Sequence, residues 1–173
     1  MIPSEEEAKK EIEAQDQAGV VIIAPHPDDE IIGCYEIITN KDLSSAVIYS
    51  DKIDGKRRES AVVLREYSNI KLQMFQQSIP PSLLKDTNTF YFPDPVYEIH
   101  PLHRQWGLIG ESMARGGFDV IFYSTSMIAH YIHEVSEPEK KKELLNKVYK
   151  DQSDLWKYDH RYFLFEGRCK WLF

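Results

Sequence analysis

The stretch Val20 to Gly33, V-V-I-I-A-P-H-P-D-D-E-I-I-G, constrains this chain more than any other. Four consecutive β-branched residues with no polar interruption read as a strand buried on both faces, the kind found inside a parallel sheet. The strand runs directly into His26, Asp28, Asp29 and Glu30, and then into a segment with helical spacing. In an open α/β sheet, the carboxyl ends of the strands are where polar side chains converge without being stranded in the core. The stretch therefore predicts both a fold class and the edge of the sheet that carries the chemistry.

The rest of the chain repeats the alternation. Strands are expected at 45–50, about 71–76, 89–92 and 119–125, and helices at 30–39, 56–69, 98–114 and 138–157. Ser4 and Glu7 have capping-box spacing, which predicts a short helical extension within residues 1–18. The aromatic tail, 162–173, is compatible with strand or helix. A single domain spanning 1–173 is expected, since 173 residues can bury a core of their own. Strands alternating with helices imply a Rossmann-like α/β three-layer sandwich with a mostly parallel sheet. No G-x-G-x-x-G follows the first strand, so a dinucleotide site is not indicated.

Charge and composition exclude several classes. A net charge of −7 argues against a general nucleic-acid or anionic-membrane binder. No apolar run approaches the ~20 residues of a membrane span, and the charged N-terminus is unlike a signal peptide, so a cytoplasmic protein is expected. Cys34 and Cys169 are too few and too isolated for a disulfide framework or a thiolate zinc site.

His26 and Asp29 lie three residues apart at a strand-to-helix turn, where an imidazole and a carboxylate can face one point. A divalent ion held by two nitrogens and one oxygen, with a position open to water, is a hydrolytic arrangement. It needs one more imidazole. The candidates are two H-x-x-H pairs, His100/His103 and His130/His133, with His160 apart from both. The later pair follows the strong strand 119–125 and is expected to open on the same sheet edge as His26, which favours it.

A-P-H-P-D-D-E-I-I-G resembles the signature of the LmbE-like family, the N-acetylglucosaminyl-phosphatidylinositol de-N-acetylase relatives, roughly (A/P)-H-P-D-D-E-x-x-G. The likeness extends to S-D-K-I-D-G-K-R-R-E-S-A, to Phe92-Pro93-Asp94, to H-Y-I-H in the place of the family's H-P-D-H, and weakly to Tyr149–Ser153. It implies an LmbE-like fold and zinc-dependent removal of an acetyl group from an N-acetylated amino-sugar-containing small molecule, with other divalent metals also compatible. By the same resemblance His26, Asp29 and His133 are the metal ligands, Asp28 is the general base, and His130 assists at the oxyanion or the leaving amine. Arg58 and Asp94 are substrate contacts. H-Y-I-H lacks the acidic residue of H-P-D-H, and a catalytically silent metal-binding relative, acting as a binding or assembly module, is the alternative this departure suggests. The aromatic tail offers a second copy of the chain a surface to pack on.

Overall fold

The computed structural model describes residues 19–50, 52–126 and 132–170. The helix expected within residues 1–18 and the imidazole of His130 lie outside them. The described elements are β1 (Val20–Ala24), α1 (Asp29–Thr39), β2 (Ser45–Tyr49), α2 (Gly55–Leu64), β3 (Ile70–Phe75), β4 (Thr89–Pro93), α3 (Pro101–Arg115), β5 (Asp119–Ser124), β6 (Ile132–Glu134), α4 (Pro138–Val148), α5 (Arg161–Leu164) and β7 (Phe165–Cys169), with short 3-10 turns between some of them.

The seven strands form one mixed sheet in the order β3-β2-β1-β4-β5-β7-β6. The first five are mutually parallel, as the alternation predicts. The last two are not: β7 runs antiparallel to β5, and β6 antiparallel to β7. The aromatic tail thus resolves into the short α5 and a strand. Every residue of β1 is buried. Alternating side chains serve opposite layers, Val20, Ile22 and Ala24 packing with α1, α2 and α4, and Val21 and Ile23 packing with Phe90, Phe92 and Trp106 on the α3 side.

The central neighbour of β1 is β4, which pairs with β1 on one side and β5 on the other. Helix α3 returns from the end of β4 and lies unusually close to it. A Cβ at Gly107 would sit 2.6 Å from the Pro93 carbonyl oxygen and 2.7 Å from the Pro95 nitrogen, and one at Gly110 would sit 2.6 Å from the Phe92 ring. Only glycine allows that approach, and it draws the first turn of α3 over the carboxyl end of β4, next to the end of β1. Among the described residues no helix is long and apolar enough to cross a membrane.

Candidate metal centre

The turn after β1 is shaped by backbone geometry. Asp28 is the one non-glycine residue among those described with positive φ, at 119°. Aspartate tolerates such conformations better than most residues. The turn is held on both sides of the peptide: the Asp28 carbonyl accepts from Ile31 and Ile32 N–H at 3.0 and 2.9 Å, and the Asp28 N–H donates to Glu30 Oε2 at 3.1 Å. Glu30 is fully buried and takes a hydrogen bond from the Tyr149 hydroxyl on Oε1. It supports the turn from below and does not face the cavity.

Three donor atoms converge above this turn. His26 Nδ1 and His103 Nε2 lie 2.9 Å apart, His103 Nε2 and Asp29 Oδ2 3.1 Å, and His26 Nδ1 and Asp29 Oδ2 3.5 Å. A tetrahedral ion with bonds of about 2.0–2.1 Å spaces its ligand atoms about 3.3 Å apart. The observed triangle brackets that spacing, so the residues fit a divalent ion. On the far side of the His103 ring, Nδ1 bonds Glu98 Oε2 at 2.9 Å. That carboxylate fixes the ring and directs the opposite nitrogen toward His26 and Asp29, the usual outer partner of a metal-ligating histidine. Glu98 is itself held by Thr125, whose N–H donates to Oε1 and whose hydroxyl donates to Oε2 at 2.9 Å. The end of β5 therefore locks a side chain that precedes α3.

His100 caps α3. Its Nδ1 accepts from the Leu102 N–H at 3.2 Å, which leaves Nε2 as the ring donor. One of its ring nitrogens lies within 4.8 Å of a ring nitrogen of His26 and of His103, and the His26 and His100 rings meet edge-on at 4.7 Å. A cavity of 410 Å³ opens over the cluster, lined by His26, Asp28, Asp29, Ile32, Arg57, His100, His103, Thr125, Leu155 and Tyr162.

Electrostatics favour a cation at the centre. Burial opposes charge on His103, yet Asp29 and Glu98 outweigh it and hold its pKa at about 10. Burial also works against ionising Asp29, but His103 and His26 overcome it and keep that carboxyl well below the usual range. Asp28 behaves oppositely: burial, then the carboxylates of Asp29 and Glu30, push its pKa well up, partly offset by Arg57 and His103. His100 is shifted down by burial and by the charges of His26 and His103. An ion at this triangle would take the place of the His103 proton, so its binding would release that proton.

Glu30 gives a measurable signature. Burial raises its pKa to about 8, from 4.5, although the hydrogen bonds from Tyr149 and Asp28 pull the other way. Between those values the unfolded chain is ionised while the fold retains the proton. The native state then binds more protons than the unfolded one, so stability falls as pH rises from 4.5 to 8. Glu30→Gln keeps an acceptor for the Asp28 N–H and can donate to the Tyr149 oxygen. The variant is expected to lose less stability than the wild type between pH 5 and 8, measured by urea denaturation of metal-free protein. Parallel pH profiles in the two proteins would contradict the assignment.

Of the residues singled out by sequence, His26, Asp28 and Asp29 come together as expected, and three others do not. His133 is on β6, four strand steps from β1, about 19 Å across the sheet. Its Nε2 bonds Glu36 Oε2 at 3.2 Å and approaches Glu166 Oε2 at 3.9 Å. His103 stands beside His26 and Asp29 where His133 is expected. Arg58 places its guanidinium 4.9 Å over the Phe75 ring, and its neighbour Arg57 lines the cavity instead. Asp94 is buried and turns inward: its Oδ1 accepts from Val96 and Tyr97 N–H at 2.7 and 2.9 Å, and its Oδ2 from the Cys169 thiol at 3.1 Å. It shapes the β4–α3 loop.

No spacing rule in the sequence marks Glu98. His103 had a signal: His100-Pro101-Leu102-His103 keeps the His-Pro and the terminal His of H-P-D-H, where His130-Tyr131-Ile132-His133 keeps only the two histidines. Glu36, His133 and Glu166 also place ligand atoms within 4.8 Å of one another. There, however, Lys141 and Arg168 already neutralise Glu166, so the cluster is an ion-pair network with no surplus negative charge for a metal. Comparison of the chain with models of known families, with curated proteins and with solved structures gave no match.

Proposed function

We propose that the chain is a metal-dependent amide hydrolase that removes the acyl group from an N-acetylated amino-sugar-containing small molecule. The observation that carries this reading is the triangle of His26 Nδ1, Asp29 Oδ2 and His103 Nε2 at tetrahedral spacing, open to a cavity that also holds Asp28 and His100. The motif resemblance of Val20–Gly33 supports the substrate class.

Two imidazole nitrogens and one carboxylate oxygen suit zinc, and also iron, cobalt or manganese. His26, Asp29 and His103 would hold the ion, which would supply Lewis acidity, bringing the pKa of a water to about 7 and polarising the acyl carbonyl. Asp28 is the base: its carboxylate takes a proton from the attacking water and returns it to the amine as the C–N bond breaks. His100 presents its Nε2–H to the cavity and stabilises the oxygen on which negative charge develops. This is the role expected of His130 by sequence, given to His100 because it lines the cavity and is not one of the three ligands. Glu98 keeps the His103 ring in place and Glu30 keeps the Asp28 backbone in its left-handed turn. Neither touches substrate. The products are a carboxylate and a free amine.

Asp28→Asn preserves size and tolerates the positive φ, so the variant is expected to keep its metal and lose about 10²–10⁴-fold in turnover. The measurement is acetate release from nucleotide-linked, inositol-linked and oligosaccharide N-acetylglucosamine conjugates, with metal content read in parallel. Full activity in the variant would remove the base assignment. A wild-type fold that takes up no metal would overturn the reading in favour of a binding module.

A further inference from the structure

The cavity over the metal-competent cluster has two kinds of lining. Arg57, His100 and Thr125 are polar, whereas Ile32, Leu155 and the ring of Tyr162, which ends in a hydroxyl, offer apolar surface. Ile32 and Tyr162 pack with the core behind them. Leu155 does not: it is 59% exposed although it belongs to the cavity.

Its direction is fixed by its neighbours. The 3-10 turn Lys150–Leu155 is otherwise polar, Lys-Asp-Gln-Ser-Asp before the leucine. Gln152 is buried and donates through Nε2 to the carbonyl of Pro27, in the same loop as His26 and Asp28, at 3.3 Å. Asp151 pairs with Lys56 of α2 at 2.6 Å. Trp156 is buried and bonds Asn146 through its indole N–H at 3.2 Å. The turn is thus tied to the β1 loop, to α2 and to α4, and it holds one large apolar side chain out in the cavity. That leucine offers its apolar surface to whatever occupies the cavity.

An amide has two halves. The amine half of an amino sugar carries hydroxyl groups, which suit the polar lining. The apolar lining is then left to the acyl half. We infer that the site accepts N-acyl amines with acyl chains longer than acetyl, seating the chain on Ile32, Leu155 and Tyr162. The inference rests on the hydrolase reading above and narrows its substrate class.

The test is a series of N-acetyl, N-butyryl and N-hexanoyl glucosamine, with amine release followed on the full chain supplied with zinc. Specificity constants are expected to rise about two- to fourfold per methylene, the range for partial to full burial of each group. Leu155→Ser is expected to flatten that slope. Leu108→Ser, an equally exposed leucine on α3 outside this cavity, is expected to keep it. A flat or falling series in the wild type overturns the acyl-chain assignment and leaves amide hydrolysis standing. If no member is hydrolysed, calorimetric titration with acetate and hexanoate decides. Hexanoate binding at least tenfold tighter, with the advantage lost in Leu155→Ser, supports the chain subsite while removing the hydrolase reading. Equal binding removes the subsite.

Discussion

His103→Ala is expected to reduce bound divalent metal from about one ion per chain to roughly a tenth of that or less, while His133→Ala keeps it. Loss of an outer hydrogen-bonding partner of a metal ligand costs about 10–100-fold in affinity, and loss of the ligand itself costs more. Alanine at 103 also strands two buried carboxylates, Asp29 at 3.1 Å and Glu98 at 2.9 Å from the missing ring. Turnover is expected to vanish with the metal. Glu98→Gln tests the same arrangement more gently. It keeps an oxygen for Thr125 and removes the charge behind His103, so a 10–100-fold weaker metal affinity is expected with the fold intact. Metal analysis after dialysis against a weak chelator, with competition titration for affinity, reads all three variants. Metal lost in His133→Ala and retained in His103→Ala would reverse the assignment.

Local charge explains why one His/carboxylate cluster and not the other should take the ion. Around His26 and His103 stand Asp28, Asp29 and Glu98, with Arg57 the cationic side chain in the lining. Around His133 the carboxylates of Glu36 and Glu166 are matched by Lys141 and Arg168. Similar donor spacing thus gives opposite expectations, because an ion entering the second cluster meets two fixed positive charges at short range.

The sequence made β1 and its turn legible because a buried parallel strand leaves an unbroken apolar run and because the polar residues sit immediately at its end. The parallel half of the sheet followed from the alternation. What could not be read was strand order. Thr89–Pro93 looked like a minor aromatic run stopped by prolines, yet it forms the strand between β1 and β5. Its prolines fall where the strand ends, and its neighbour in the next layer, α3, reaches it only through Gly107 and Gly110. The edge argument for His133 takes β5 to continue into a site loop beside β1. Instead His133 lies on β6, which pairs with β7 at the far edge of the sheet. Whether His103 or His133 meets His26 depends on that order, and periodicity is blind to it. Arg58 and Asp94 lie outside the cavity lining for a more local reason: on α2 one residue's step turns a side chain about 100° around the axis, and the carboxylate beside two prolines accepts from backbone N–H groups.

Lys141 is expected to carry the largest stability effect outside the metal centre. It lies in the run Lys140-Lys141-Lys142, which reads as a solvated face, but Lys141 is fully buried. Its ammonium donates to the Ile32 carbonyl at 2.7 Å, to the Phe165 carbonyl at 3.3 Å and to Glu166 Oε1 at 3.3 Å. Ile32 lies just before a break in α1, where Cys34 adopts non-helical φ/ψ of −137° and 24°. The lysine thus joins α4 to the bend of α1 and to β7, the strand through which the antiparallel edge attaches. Burial lowers its pKa, and Glu166 opposes that by favouring the charged form. Lys141→Met retains most of the volume and removes the charge, leaving Glu166 with Arg168 and the more distant His133, and two carbonyls without this donor. A loss of about 3–5 kcal/mol is expected, as for breaking a buried ion pair from one side. Of a total stability of about 5–15 kcal/mol, that is enough to shift a urea midpoint by a large fraction. Adding Glu166→Gln removes the carboxylate that lost its partner, so the double variant is expected to be less destabilised than the sum of the two single changes. Additive losses, or a Lys141→Met protein within about 1 kcal/mol of wild type, would mean that this ammonium contributes only its bulk.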